Sequence, residues 1–104
     1  METSTPLSLA IDRIVSVAQP DRIILFGSHA RDSARPDSDL DFLVVKSGVP
    51  SRRKLAQAIY RALIGIAAPI DIIVVTPEDL AAFKDSSASI IGPALREGRV
   101  VYAA

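Results

Sequence analysis

The chain has 104 residues, 12 basic side chains cancel 12 acidic ones, and 49% of the residues are apolar. That length suits one compact domain spanning 1–104, with a core filled by Val, Ile, Leu and Ala because aromatics make up only 5%. The absence of cysteine excludes disulfide scaffolds, thiol nucleophiles and Cys-based zinc sites. The neutral balance argues against direct binding to nucleic acid or to acidic membranes.

The segment Met1–Pro6 is polar, with no basic stretch leading into an apolar one, so a secretory signal is not expected. No apolar run approaches the ~20 residues needed to cross a bilayer, and a cytoplasmic location is the expectation. Thr5-Pro6 reads as a helix start, with Pro tolerated in the first turn. Leu7, Ile11, Ile14, Val15 and Ala18 follow at helical spacing until Pro20 ends the pattern. Arg22 to Phe26 is a short β-branched run closed by Gly27, which predicts a buried strand. From Gly27 to Ser38 the chain is small and polar, and a short helix followed by a loop is expected.

Leu40 to Val45 predicts a second buried strand. Pro50-Ser51 introduces a helix with Leu55, Ile59, Ala62, Leu63 and Ile66 on one face, expected to run until Pro69. Ile70 to Val75 predicts a third strand. Thr76-Pro77-Glu78-Asp79 has the pattern of a helix cap. A helix over Ser86 to Glu97, bent at Gly92-Pro93, and an edge strand over Arg99 to Tyr102 complete the reading. The alternation predicts an α/β fold: a small mixed sheet of three to four strands with alternating helices.

Chemistry concentrates at three acids. Asp39 and Asp41 stand two apart at the mouth of the second strand, so their side chains share a face. Asp71 opens the third strand, and the helix between these strands makes them parallel neighbours, with their acidic starts at one end. Three carboxylates directed at one place repel unless a cation or proton lies between them. Such hard oxygen ligands suit Mg²⁺ or Mn²⁺. Two ions held there would suit displacement at phosphorus. Just before them, Gly27-Ser28 combines a glycine that permits close approach, a hydroxyl and a helix start, a set that attracts phosphate.

Gly27-Ser28-His29-Ala30-Arg31 through Ser38-Asp39-Leu40-Asp41 closely resembles the signature of the DNA polymerase beta-like nucleotidyltransferase superfamily. The form of the motif is similar to that of its smallest branch, the minimal nucleotidyltransferases of prokaryotic toxin–antitoxin pairs. The resemblance implies a polymerase beta-like fold, with Asp39, Asp41 and Asp71 as catalytic residues holding two Mg²⁺ ions. It further implies that Gly27 and Ser28 bind the phosphates of a nucleotide triphosphate. The reaction implied is transfer of AMP from ATP to a hydroxyl, a tyrosine of a partner HEPN-domain ribonuclease toxin. A non-catalytic antitoxin that neutralises its partner by binding alone is the alternative. One departure stands in the motif: Asp32 occupies a place where many members carry glycine.

Of the remaining residues, His29 lacks a second His or a Cys with which to build a metal or nucleophile site. Arg31 is expected to pair with a loop acid, Arg52-Arg53-Lys54 to form a solvated face, and Tyr60 and Tyr102 to serve packing. No Gly-x-Gly-x-x-Gly and no Walker lysine loop is present.

Overall fold

A computed structural model of the chain describes residues 5–27, 39–83 and 97–104. The elements are α1 (Pro6–Ala18), β1 (Arg22–Phe26), β2 (Leu40–Val45), α2 (Arg52–Ala62), β3 (Ile70–Val75), α3 (Pro77–Phe83) and β4 (Arg99–Ala103). Ser28 to Ser38, with its expected helix, lies outside the described residues, as does nearly all of the helix expected over Ser86 to Glu97.

The first helix begins as its sequence directs. The Thr5 side chain accepts the Ser8 N–H at 3.1 Å, and the Ser8 hydroxyl accepts the Thr5 N–H at 3.1 Å, a reciprocal capping box. Gln19 closes the helix in the left-handed region at φ 45°, and Pro20 follows. In α2, the Ser51 side chain accepts the Lys54 N–H at 3.2 Å. This helix ends at Ala62, well before Pro69. The turn at Gly65, φ +95°, redirects the chain. From α1, the Arg13 guanidinium donates to the Ala62 and Ile64 carbonyls at 3.1 and 2.9 Å, meeting acceptors the helix end leaves open. The sequence pattern overran here because Leu63 and Ile66 still pack on the core from outside the helix.

The four strands form one mixed sheet in the order β3-β2-β1-β4. β1 pairs antiparallel with β2, placing Phe26 opposite Asp41. β2 pairs parallel with β3, placing Asp41 beside Asp71. β4 adds to the outer side of β1, antiparallel, with an irregularity at Ile23/Ile24. The expected architecture is therefore present, with four strands.

Alternation along the strands feeds two apolar clusters. Ile23, Leu25, Phe42, Val44, Ile72 and Val74 pack with Ala10 and Ile14 of α1 and Ile59 of α2. On the other face, Ile24, Phe26, Leu43, Val45 and Val75 pack with Leu80 of α3. Because side chains two apart share a face, Asp41 and Asp71 lie on the second face, in line with Leu43 and Ile73.

At α3, Thr76 and Asp79 form a second reciprocal cap. The Asp79 N–H donates to the Thr76 hydroxyl at 3.1 Å, and the Thr76 N–H donates to Asp79 Oδ2 at 2.9 Å. Arg52, expected in a solvated face, instead grips the same carboxylate with Nε and an amino group at 2.9 and 3.0 Å. The Thr76 N–H, then the Arg52 guanidinium, hold the Asp79 carboxyl below its ordinary value of 3.8. A similar clasp joins β1 to the loop after β2: the Ser47 N–H donates to Asp21 at 2.9 Å and lowers its carboxyl in the same sense.

Candidate active site

The turn after β1 and the mouths of β2 and β3 meet at one end of the sheet. Three strand facts bring them there. The antiparallel β1–β2 pair sets the exit of β1 beside the entrance of β2. The parallel β2–β3 pair sets two entrances side by side. The period of two then turns Asp39, Asp41 and Asp71 to one face.

Each of these acids offers a carboxylate oxygen, and the three oxygens lie within 4.8 Å of one another. Asp39 and Asp71 are exposed and Asp41 is half-buried. Two oxygens on opposite sides of one Mg²⁺ stand at most about 4.2 Å apart. A cluster no wider than 4.8 Å can therefore hold one such cation or a pair of them. The donor set is all oxygen and all anionic, which fits a hard divalent cation and not a thiophilic one.

Gly27 has a structural task that the sequence did not disclose. Its φ is +76°, in the region that favours glycine, and a Cβ built on it would run into the Asp41 carboxylate. The missing side chain is the space that Asp41 occupies. Sequence reasoning assigned Gly27 to ligand approach, and the antiparallel register supplies the reason such a contact could have been foreseen: Phe26 faces Asp41. Ser28, its expected phosphate-binding companion, lies outside the described residues, as do His29, Arg31 and Asp32.

A concavity floored by Val49, Pro50 and Leu55 and rimmed by Lys46 and Lys54 opens beyond the far end of β2. It is separated from the acids by the length of that strand and takes no part in their chemistry.

The family profile of the Nucleotidyltransferase domain matches residues 8–95. The chain belongs to the nucleotidyltransferase domain family. Among solved structures, the fold is similar to that described as a toxin-antitoxin with AMP-PNP, at a TM-score of 0.58 and 20% identity, over 91% of this chain and 72% of that one. It is also similar to a candidate nucleotidyltransferase from Sulfolobus solfataricus, at a TM-score of 0.55 and 17% identity, over 99% of this chain and 92% of that one. No curated protein matches the chain. Among the described residues, no helix is long and apolar enough to cross a membrane.

Family membership makes this chain a nucleotidyltransferase-type protein, and its three acids form a cluster able to hold a metal ion. One residue near them was underread from sequence. Tyr60, expected only to pack, is 42% exposed, and its hydroxyl accepts the N–H of Ile72, the residue after Asp71, at 2.9 Å.

Proposed function

We propose that this chain is a cytoplasmic, Mg²⁺-dependent nucleotidyltransferase, acting as one minimal domain, that transfers AMP from ATP to a tyrosine hydroxyl of a partner HEPN toxin and thereby serves as its antitoxin. The observation that carries the proposal is the gathering of Asp39, Asp41 and Asp71, with oxygens within 4.8 Å of one another, in a chain of the nucleotidyltransferase family. The antitoxin role draws on the motif Gly27-Ser28 to Asp39-Leu40-Asp41 and on the likeness to a toxin-antitoxin structure holding an ATP analogue.

In this reading Asp39, Asp41 and Asp71 would hold two Mg²⁺ ions, and the triphosphate would be bound through them. Metal bound there would supply neutralisation of phosphate charge, which favours displacement at phosphorus. Gly27 and Ser28 receive the phosphates. The acceptor oxygen bonds to the α-phosphorus, and the bond from that phosphorus to the bridging oxygen of the β-phosphate breaks. Pyrophosphate departs with that electron pair. Asp71 takes the acceptor proton and passes it to water.

The test mixes the protein with Mg²⁺, α-labelled ATP and the protein encoded beside it, and repeats the mixture with Asp39→Ala. Label passing to the neighbour in the wild type alone supports the enzyme. Neutralisation of the neighbour by both proteins without label transfer replaces the proposal with the binding-only antitoxin.

A further inference from the structure

The hydrogen bond between Tyr60 and Ile72 lies one residue from Asp71, on β3. Among the described residues, β3 is the last strand of the sheet on its side, next to β2 alone. At the two ends of their ladder, the Leu40 N–H donates to the Pro69 carbonyl and the Lys46 N–H to the Val75 carbonyl, each at 2.9 Å. In a parallel ladder this phase turns the main-chain groups of residues 69, 71, 73 and 75 toward β2 and those of 70, 72 and 74 away.

The peptide unit between Asp71 and Ile72 is thus held from both sides. Its carbonyl, from Asp71, faces β2. Its N–H, from Ile72, faces outward and meets the Tyr60 hydroxyl at 2.9 Å. Tyr60 is carried on α2, which packs on the core through Ile59, its neighbour in sequence. A ring 42% exposed contributes little as core filler, so the hydroxyl is the part with a specific partner.

The geometry points to Tyr60 as a positioning residue for Asp71: by anchoring the outward side of that peptide unit it fixes the direction of the Asp71 carboxylate toward Asp39 and Asp41. This inference rests on the reading of the three acids as a cation site. A group acting behind a ligand commonly changes cation affinity by about 10–100-fold without touching the ion. A bond acting through the main chain is expected at or below the low end of that range, about 3–10-fold. A purely structural role for Tyr60 would instead appear as lost stability with unchanged affinity.

The experiment is a Mn²⁺ titration of the full chain, followed by electron paramagnetic resonance, with hydrogen exchange of the Ile72 amide read on the same proteins. Tyr60→Phe keeps the ring and removes only the hydroxyl. It is expected to raise the Mn²⁺ Kd about 3–10-fold and to speed exchange at Ile72. Arg13→Gln removes hydrogen bonds to the Ala62 and Ile64 carbonyls at the C-terminal end of α2 and leaves the Tyr60 hydroxyl in place. It is expected to lower Tm and leave the Mn²⁺ Kd unchanged. A Kd for Tyr60→Phe within about twofold of the wild type overturns the inference, as does an equal loss in Arg13→Gln or an Ile72 amide unaffected by the substitution. Failure of the wild type itself to bind Mn²⁺ sinks the cation-site reading and this inference with it, whereas normal wild-type binding with an unaltered Tyr60→Phe sinks this inference alone.

Discussion

Gly27 and Asp41 show how one missing carbon shapes a site. A methyl group at position 27 meets the Asp41 carboxylate and is also strained by a φ of +76°. Gly27→Ala is therefore expected to destabilise the fold by about 1–3 kcal/mol and to displace Asp41, with transfer activity falling more than stability explains. Chemical denaturation beside a label-transfer assay separates the two losses. Asp39 makes the converse case. It is exposed and crowded by two other acids, so its charge contributes repulsion in the metal-free protein. Asp39→Asn is expected to reduce transfer by at least about 100-fold, as loss of a group that stabilises transition-state charge does, while the metal-free Tm stays level or rises slightly. A marked fall in Tm would show that Asp39 supports the fold instead.

Helix ends and strand edges do the joining in this molecule. Asp79 closes α3 with Thr76 and clasps Arg52 at the start of α2, so one carboxylate ties two helix starts together. Its lowered acidity carries a definite pH signature. Above the ordinary value of 3.8 the carboxyl is ionised in folded and unfolded chains alike, and its contribution is fully present. Below it the unfolded chain takes up the proton first, and the contribution is lost as pH falls through the depressed folded value. Asp79→Ala is expected to cost about 1 kcal/mol near neutrality and to make Tm less steep below pH 4 than in the wild type. An unchanged acid limb would show that the pair is too solvated to matter. Asp21, lowered in the same direction, keeps part of that limb in the variant.

Most of these elements were legible in the sequence because each carries its own punctuation. Thr5-Pro6, Ser51 and Thr76-Pro77 mark helix starts, and the three β-branched runs occur where the strands are. The end of α2 was not legible. Apolar spacing continues through Leu63 and Ile66, and periodicity does not reveal that Gly65 has already turned the chain. The pairing of Arg52 with Asp79 was hidden for a different reason: the two are 27 residues apart and meet only when both helices pack beside the sheet. Tyr60 was hidden likewise, since a hydroxyl that satisfies an edge-strand N–H has no local sequence mark.

For the molecule as a whole, strand topology accounts for the candidate site. A net charge of zero gives no warning that three acids share one end of the sheet. Their meeting follows from one antiparallel and one parallel pairing around β2. That order carries Gly27 to Asp41 and Asp41 to Asp71, and it is why residues scattered from 27 to 71 answer to one geometry. Membership of the nucleotidyltransferase family and two neighbours of similar fold place this arrangement among proteins of related architecture. The most direct measurement is anomalous diffraction from crystals grown with MnCl₂ and a non-hydrolysable ATP analogue. Manganese peaks within about 2–2.5 Å of oxygens from Asp39, Asp41 and Asp71, with the phosphates against Gly27, are the predicted result. Manganese bound elsewhere, or a triphosphate seated away from these three carboxylates, would contradict the account.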